Sequence, residues 1–234
     1  MVAPVQSAIG NRQSAIVIGV LGGTFAPIHH GHLRLAIEAR EQLQLPEVRL
    51  VPAARPPLRS APTVPAARRL RWVKLALARE PGLAVDDREL RRKGPSYTVD
   101  TLMSLRAEFP RAALCLLLGQ DAAHQLPRWH RWQALPELAH LVFFHRPGHA
   151  AKFKGPLARL LRGRAARTAA QLRARPAGLW WRCEMAPLAI SASDVRRRLR
   201  EGLSVRGLVP DAVIDDFTRK DLEAFAQDEN FTAR

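Results

Sequence analysis

The chain has 234 residues, of which 47% are hydrophobic, 25% charged and 6% aromatic, a balance that is typical of a globular protein and excludes a disordered or fibrous chain. No apolar run approaches the roughly 20 residues that a membrane-spanning helix needs. The formal net charge of +16 comes almost entirely from arginine; it could attract nucleic acid or anionic lipid, but a bias in composition explains it as well, and we expect neither partner.

The ends of the chain differ in character from its middle. Residues 1–14 are polar and contain most of a small repeat, Gln-Ser-Ala-Ile, so we predict a disordered extension there. Residues 15–23 are too short for a signal peptide and lack a convincing cleavage site, and a buried strand is the better interpretation. Residues 15–225 are predicted to form a single domain, followed by a tail at 226–234.

From residue 16 onward, strand-like apolar runs alternate with helical stretches. Strands are predicted at residues 16–21, 48–52, 83–86, 114–118, 140–144 and 179–184. Helices are predicted at residues 31–45, 66–79, 98–109 and 152–173, with a helical pair from residue 193 onward. This alternation predicts an α/β fold with a doubly wound, mostly parallel sheet, helices on both faces and a small C-terminal helical part.

Two features of the middle of the chain leave alternatives open. The basic stretch at residues 152–175 is amphipathic and could bind membranes or nucleic acid, although a solvated helix face is the more common reason for such a pattern. Cys115 and Cys183 fit neither a disulfide framework nor a metal pair. The cysteines therefore favour a reducing, cytoplasmic setting.

The first predicted strand ends in a motif that opens the next helix. It reads Gly22-Gly23-Thr24-Phe25-Ala26-Pro27-Ile28-His29-His30-Gly31-His32. Glycines let the backbone approach a phosphate, and the N–H groups of a helix N-terminus favour an anion. On the first helical turn, His29 and His32 can point towards one ligand, whereas His30 belongs to no repeated spacing. A metal pair is the alternative, but no third ligand stands at a helpful distance in sequence.

A second motif, Ile190-Ser191-Ala192-Ser193-Asp194-Val195-Arg196, precedes the C-terminal helices. Ser193 is a good N-cap for a helix that begins at Asp194. Taken alone, this pattern indicates only a capped helix with a solvated arginine face. A guanidinium fork near a helix N-terminus also suits phosphate oxygens.

Together the two motifs resemble those of the nucleotidyltransferase superfamily, Gly-Gly-Thr-Phe-Asp-Pro-x-His-x-Gly-His and Ile-Ser-x-Ser/Thr-x-x-Arg. The resemblance implies a Rossmann-like fold in which two histidines embrace the triphosphate of a nucleotide. The residues that would bind ATP phosphates or act in catalysis are Gly22, Gly23, Thr24, Phe25, His29, His32, Ser191, Ser193 and Arg196. Ala26 stands where the family usually has Asp, and we expect that loss to be tolerated.

Further segments resemble bacterial nicotinate-nucleotide adenylyltransferases in particular. Pro56-Pro57-Leu58-Arg59 is similar to their Pro-Pro-His-Lys/Arg loop, with Leu58 in place of His, and residues 96–102 match their Ser-Tyr-Thr-x-x-Thr-Leu segment. Gly119-Gln120-Asp121, Trp129 and Arg146-Pro147-Gly148 follow in the family's order. The resemblance covers residues 18–220, nearly the whole chain.

This resemblance implies adenylyl transfer from ATP to nicotinate mononucleotide, with release of pyrophosphate, as a step of NAD biosynthesis. Gly119 and Asp121 would contact ATP, with the Asp121 carboxylate suited to ribose hydroxyls. The mononucleotide would contact Arg59, Tyr97, Thr98, Trp129 and Arg146, with Trp129 either stacked on the pyridine ring or simply packed. Mg²⁺ would arrive with ATP and have few or no protein ligands.

Two other functions remain open at this point. One is the same chemistry on nicotinamide mononucleotide. The other is a catalytically weakened, basic relative that binds nucleic acid, which Ala26, Leu58 and the net charge would favour and the intact pair of histidines opposes. A homo-oligomer is also left open.

Overall fold

The computed structural model describes residues 16–58, 62–145, 153–185 and 188–227. Within these ranges the strands are β1 (Val17–Gly23), β2 (Glu47–Pro52), β3 (Leu83–Val85), β4 (Ala113–Leu118), β5 (His140–His145) and β6 (Trp180–Glu184). The helices are α1 (His30–Leu43), α2 (Ala66–Leu77), α3 (Arg88–Arg91), α4 (Thr98–Glu108), α5 (Gln120–Gln125), α6 (Leu135–Leu138), α7 (Gly155–Leu161), α8 (Ala169–Arg173), α9 (Ala192–Arg200), α10 (Asp211–Ile214) and α11 (Arg219–Ala226). The predicted alternation of strands and helices is confirmed.

The strands form one sheet in the order β3-β2-β1-β4-β5-β6, and each neighbouring pair is parallel. The strand order reverses between β1 and β4, which are the two central neighbours. In open parallel sheets of this kind, ligands bind beyond the carboxyl ends of the strands at such a reversal. The doubly wound fold is therefore confirmed, and the motif that follows β1 lies beside this crevice.

The burial of β4 explains why its sequence is apolar without alternation. All six of its residues are buried. Its odd-numbered residues belong to one hydrophobic cluster, namely Ala113, Cys115 and Leu117. Its even-numbered residues belong to the other, namely Leu114, Leu116 and Leu118. A strand covered on both faces reads as a continuous apolar run.

Different helices cover the two faces of the sheet. One cluster includes Leu33 and Ala36 of α1 together with Trp72 of α2, and the other includes Leu102 of α4 and Leu157 of α7. The C-terminal helices join the first cluster and pack on α2, because Trp72 lies 5.1 Å from Phe217 and 5.8 Å from Phe225 between ring centroids. The helical part predicted at the C-terminus is thus docked against the face that carries α1.

Two predicted elements differ from the structure, and one helix was not predicted. The basic stretch was predicted as one helix over residues 152–173, and this prediction is wrong, because α7 and α8 are separate short helices. Gly163, in the left-handed region at φ +72°, and a parallel bridge from Ala165 to Trp180 lie between them. The C-terminal pair contains an additional one-turn helix, α10. The one-turn helix α3 was not predicted at all.

Both cysteines are buried and unpaired. Burial raises the pKa of each thiol to about 12. Among the described residues, no helix is long and apolar enough to cross a membrane.

Candidate active site

The glycine-rich turn begins where β1 ends. Gly22 and Gly23 are the last two residues of the strand, and the Gly23 carbonyl accepts a hydrogen bond of 2.8 Å from the Ala53 amide. Phe25 follows in the left-handed region, at φ +49°, with its side chain 1% exposed. The turn is therefore tied to the segment after β2 and anchored by a buried ring.

The two histidines of the first motif lie one on the other. Their ring centroids are 3.7 Å apart at an interplanar angle of 26°, and Phe25 meets His32 edge-on at 5.0 Å. His32 Nδ1 accepts a hydrogen bond of 3.3 Å from the His29 backbone N–H. A neutral His32 ring consequently carries its proton on Nε2 and can donate from that atom.

His29 is the N-cap of α1, not a residue of its first turn as predicted. Its backbone is extended, at φ −148° and ψ 167°, and its side chain is buried. Burial, helped by the neighbouring His30, lowers the pKa of His29 from 6.5 to about 4. The His29 imidazole is therefore neutral near pH 7.

Gly31 lets the second motif approach α1. A Cβ atom at this position would lie 3.0 Å from His29 Nδ1 and 3.4 Å from the Ile190 carbonyl oxygen. The first of these distances is shorter than a normal contact. Since Ile190 opens the second motif, the missing side chain lets the two motifs meet.

The N-cap of α9 is Ser191, and the prediction that Ser193 caps a helix beginning at Asp194 is wrong. Ser191 Oγ accepts a hydrogen bond of 3.1 Å from the Asp194 amide, and the helix begins at Ala192. Ser193 lies one residue inside the helix and accepts a contact of 3.4 Å from Arg196 Nη2. Both hydroxyls remain within the first turn of α9.

Arg196 connects the two motifs directly. Its Nη1 atom donates a hydrogen bond of 2.9 Å to the carbonyl oxygen of Ala26, in the turn between β1 and α1. This contact is made to the backbone, so it does not depend on the Asp that the family usually has at position 26. The structure thus brings the guanidinium of α9 to the turn that leads into His29 and His32.

The predicted nucleotide residues after β4 lie on the other side of the crevice. Gly119 is the N-cap of α5, and a Cβ atom on it would lie 3.6 Å from Leu35 Cδ1 of α1. Gln120 and Asp121 are the first two residues of α5. The turn after β4 therefore borders the first half of α1, and β4 lies beside β1 in the sheet.

The Ser-Tyr-Thr segment is fastened to the segment after β2. Ser96 Oγ accepts hydrogen bonds from the amides of Ala54 (2.9 Å) and Arg55 (3.1 Å), and the Ser96 amide donates to the Arg55 carbonyl at 2.9 Å. Tyr97 is the N-cap residue of α4, which starts at Thr98. The described part of the proline-rich loop ends at the exposed Leu58, and the predicted residues Arg59 and Arg146 lie outside the described residues.

Trp129 is half-buried against the cluster beneath α4. Its neighbour His130 stacks on Tyr97, with ring centroids 4.2 Å apart and an interplanar angle of 28°. Trp72 and Trp132 are core residues by contrast. Trp129 therefore contacts the core and also lies next to the ring pair at the start of α4.

Sequence reasoning missed three residues of this region. They are His130, the buried Glu89 and the buried Arg69. The Oε1 atom of Glu89 accepts a hydrogen bond of 2.5 Å from the Thr101 hydroxyl. Nothing in the local sequence distinguishes Arg69 from the neighbouring arginines Arg68 and Arg71, because its burial depends on the tertiary fold. Burial raises the pKa of Glu89, against the opposing hydrogen bonds from Thr101 and Ser96.

The donors at this site suit an anion. The residues that meet at the turn contribute imidazole, guanidinium and backbone N–H groups, which match phosphate oxygens. Within the described part of the chain, no group of three or more His, Cys, Asp or Glu residues could hold a metal ion.

Comparisons with known proteins identify the class. The family model described as cytidylyltransferase-like matches residues 20–198, and this match together with the fold and the paired motifs defines a nucleotidyltransferase. Among curated proteins, "Probable nicotinate-nucleotide adenylyltransferase" of Halorhodospira halophila is 50% identical over 202 residues, covering 86% of this chain and 93% of that protein. The protein with the same name from Methylococcus capsulatus is 45% identical over 89% of this chain and 100% of its own length. The chain belongs to the nicotinate-nucleotide adenylyltransferase family.

Solved structures agree on the fold. Nicotinic acid mononucleotide adenylyltransferase of Plasmodium falciparum, solved in complex with NaAD, matches with a TM-score of 0.64 at 17% identity, covering 85% of this chain and 92% of that chain. A structure from Vibrio parahaemolyticus matches with a TM-score of 0.56 at 14% identity, covering 85% and 89%.

Proposed function

We propose that this chain transfers the adenylyl group of ATP to nicotinate mononucleotide and releases pyrophosphate, as a step of NAD biosynthesis. The observation that supports it most is the hydrogen bond from Arg196 to the Ala26 carbonyl. It joins the two motifs at the reversal of strand order, where a nucleotide binds in folds of this kind. The relatives that share about half of this sequence carry the name of that activity.

The reaction is a direct displacement on the α-phosphorus of ATP. A 5′-phosphate oxygen of the mononucleotide forms the new P–O bond, the bond from the α-phosphorus to the bridging oxygen breaks, and pyrophosphate leaves with the electron pair. No group of the enzyme is needed as a nucleophile. The protein then contributes positioning and stabilisation of negative charge.

In this scheme, the residues of the two motifs contact the phosphates of ATP. The glycine-rich turn, Gly22 to Phe25, offers backbone N–H groups, while His32 Nε2 and the neutral His29 ring donate to the α-phosphate and the leaving group. Arg196, Ser191 and Ser193 hold the β- and γ-phosphates. The substrate is the Mg²⁺ complex of ATP, because adenylyl transfer from ATP generally needs a divalent metal and the basic, carboxylate-poor donors of the turn suit a metal carried by phosphates.

Residues at the start of α4 and in the neighbouring loops would contact the acceptor, nicotinate mononucleotide. Tyr97, Thr98 and the adjacent amides would hold the nicotinate carboxylate, and Trp129 would stack on the pyridine ring. Arg59 and Arg146 would contact the mononucleotide phosphate. On the nucleotide side, Gly119 and Asp121 would contact ATP.

Pyrophosphate release from Mg·ATP tests this function with a panel of acceptors that includes nicotinate mononucleotide, nicotinamide mononucleotide and other phosphorylated compounds. We expect the highest kcat/KM with nicotinate mononucleotide. A preference for the amide would overturn the proposed substrate. Absence of turnover with every acceptor, together with salt-dependent binding of DNA or RNA, would overturn the enzymatic function.

His32→Ala tests the proposed chemistry. We expect kcat to fall about 10²- to 10³-fold, as when one donor to a developing negative charge is removed, while the protein stays folded. His30→Ala removes the imidazole between the two motif histidines and is the matched control, expected to keep turnover. Near-normal kcat in His32→Ala would remove His32 from the mechanism.

A further inference from the structure

Arg69 of α2 has an environment that its sequence does not predict. Its side chain is 1% exposed. The guanidinium donates to the carbonyl oxygens of Thr24 at 2.5 Å, Val64 at 3.2 Å and Ala54 at 3.3 Å. Among the described residues, it contacts these carbonyls and no carboxylate.

The three carbonyls belong to three segments that border the candidate active site. Thr24 lies in the glycine-rich turn after β1, Ala54 in the segment after β2, and Val64 at the end of the proline-rich loop. Arg69 therefore joins the glycine-rich turn to the segment after β2 and to the end of the proline-rich loop.

The segment after β2 is also held from its other side. The Ala54 amide donates to Ser96 Oγ, next to Tyr97, and the Ala53 amide donates to the Gly23 carbonyl. The segment that contains Ala53 and Ala54 thus lies between the glycine-rich turn and the Ser-Tyr-Thr segment. A displacement of this segment would change the distance between the two substrates.

The cost of burying a guanidinium at this position has to be offset by the hydrogen bonds that it makes. Burial of a charge without a carboxylate partner is costly, and burial lowers the pKa of Arg69 to about 10, which still leaves it charged at pH 7. An apolar residue would avoid that cost but would leave the three carbonyl oxygens without this donor. What arginine adds is a rigid fork of donors that reaches carbonyls in three directions.

We propose that Arg69 is a positioning residue that fixes the glycine-rich turn and the segment after β2 in one geometry, so that ATP and the acceptor lie at reacting distance. This inference rests on the proposed function. It assigns to Arg69 no contact with either substrate.

The test compares Arg69→Met, Arg69→Lys and the matched control Arg71→Met. Arg71 lies on the same helix, is largely exposed and pairs with Asp216. In Arg69→Met we expect kcat to fall roughly 10²-fold, the cost of a misplacement of about 1 Å between reacting groups, with KM for each substrate changing only a few-fold. Arg69→Lys should recover part of kcat, and Arg71→Met should keep it.

Amide hydrogen exchange gives a second readout that does not need turnover. In Arg69→Met or Arg69→Lys, exchange should accelerate in residues 22–26 and 53–55 and stay unchanged in the core strand β4. The Lys variant keeps this readout available if the Met variant does not fold. A lower melting temperature with kcat intact and exchange unchanged in both segments would show a merely structural role and overturn the proposal.

The two proposals fail in different ways. If the wild type uses another acceptor, the substrate is wrong, and the same variants are compared on that acceptor. If the wild type turns over no acceptor, the proposed function fails, and exchange at the two segments alone decides the role of Arg69.

Discussion

Acidification should destabilise this fold through His29. The folded protein holds the imidazole neutral because it is buried, and its pKa falls from 6.5 to about 4. The unfolded chain takes up a proton near pH 6.5. Between these two pH values the unfolded state binds more protons than the folded state, so the free energy of unfolding decreases as the pH falls.

The magnitude follows from the two pKa values. At about 1.4 kcal/mol for each pKa unit, the fall from 6.5 to about 4 corresponds to about 3 kcal/mol of stability. This contribution is fully present above pH 6.5, decreases through the window and is lost below about pH 4. Such a loss is a large part of the roughly 5–15 kcal/mol that stabilises a typical domain.

The assay is urea unfolding at a series of pH values from 7 to 4, with wild type and His29→Asn compared at each pH. Other groups also titrate in this window, so the informative quantity is the difference between the two proteins as a function of pH. The free energy of unfolding of wild type minus that of His29→Asn should fall by about 3 kcal/mol from pH 7 to pH 4. His124→Asn, which removes an exposed imidazole from α5, is the matched control.

Two results would refute this reasoning. One is a pH dependence of the unfolding free energy that is the same in wild type and His29→Asn. The other is an NMR titration that gives the folded His29 ring a pKa of 6.5 or higher. Either would also remove the argument that burial keeps the His29 ring neutral well below pH 7.

Three other predictions follow from single contacts. Gly31→Ala should change the melting temperature little, because the preference of alanine for a helix, about 1 kcal/mol, offsets the strain of the new contact. It should lower the kcat of pyrophosphate release by at least about 10-fold, because the new Cβ would lie 3.0 Å from His29 Nδ1 and displace that ring. Cys115 and Cys183, whose thiol pKa values are near 12, should resist a thiol reagent in the native state and react in denaturant, as followed by absorbance. Ser191→Ala removes the cap of α9 and should cost about 1 kcal/mol in urea unfolding.

The order of elements could be predicted because it depends on local patterns. Apolar runs of five or six residues separated by amphipathic stretches define a parallel sheet, and β4 shows the two-sided burial that produces such a run. The motif at the end of β1 then has to lie at the carboxyl edge of the sheet. The position of the glycine-rich turn in the fold could therefore be predicted before any contact was known.

The errors share a physical cause, which is that tertiary contacts decide between local structures that the sequence makes equally suitable. Ser191 and Ser193 are both good N-caps, and in the structure Ser191 is the cap. The helix that it caps carries Val195, which is fully buried in the core. Residues 152–173 contain many good helix formers, yet a bridge from Ala165 to Trp180 of the distant edge strand β6 replaces the middle of the predicted helix. Such choices are made by tertiary contacts that a local pattern does not contain.

The excess of positive charge also has an internal explanation. Arg106 donates to the carbonyl oxygens of Phe109, Pro110, Ala112, Leu138 and Pro176, and Arg69 donates to three others. A guanidinium that is satisfied by carbonyl groups holds loops together without a carboxylate partner, so it adds to the net charge of the chain. These two arginines, whose charges are included in the formal +16, thus have a role inside the fold that needs no polyanion.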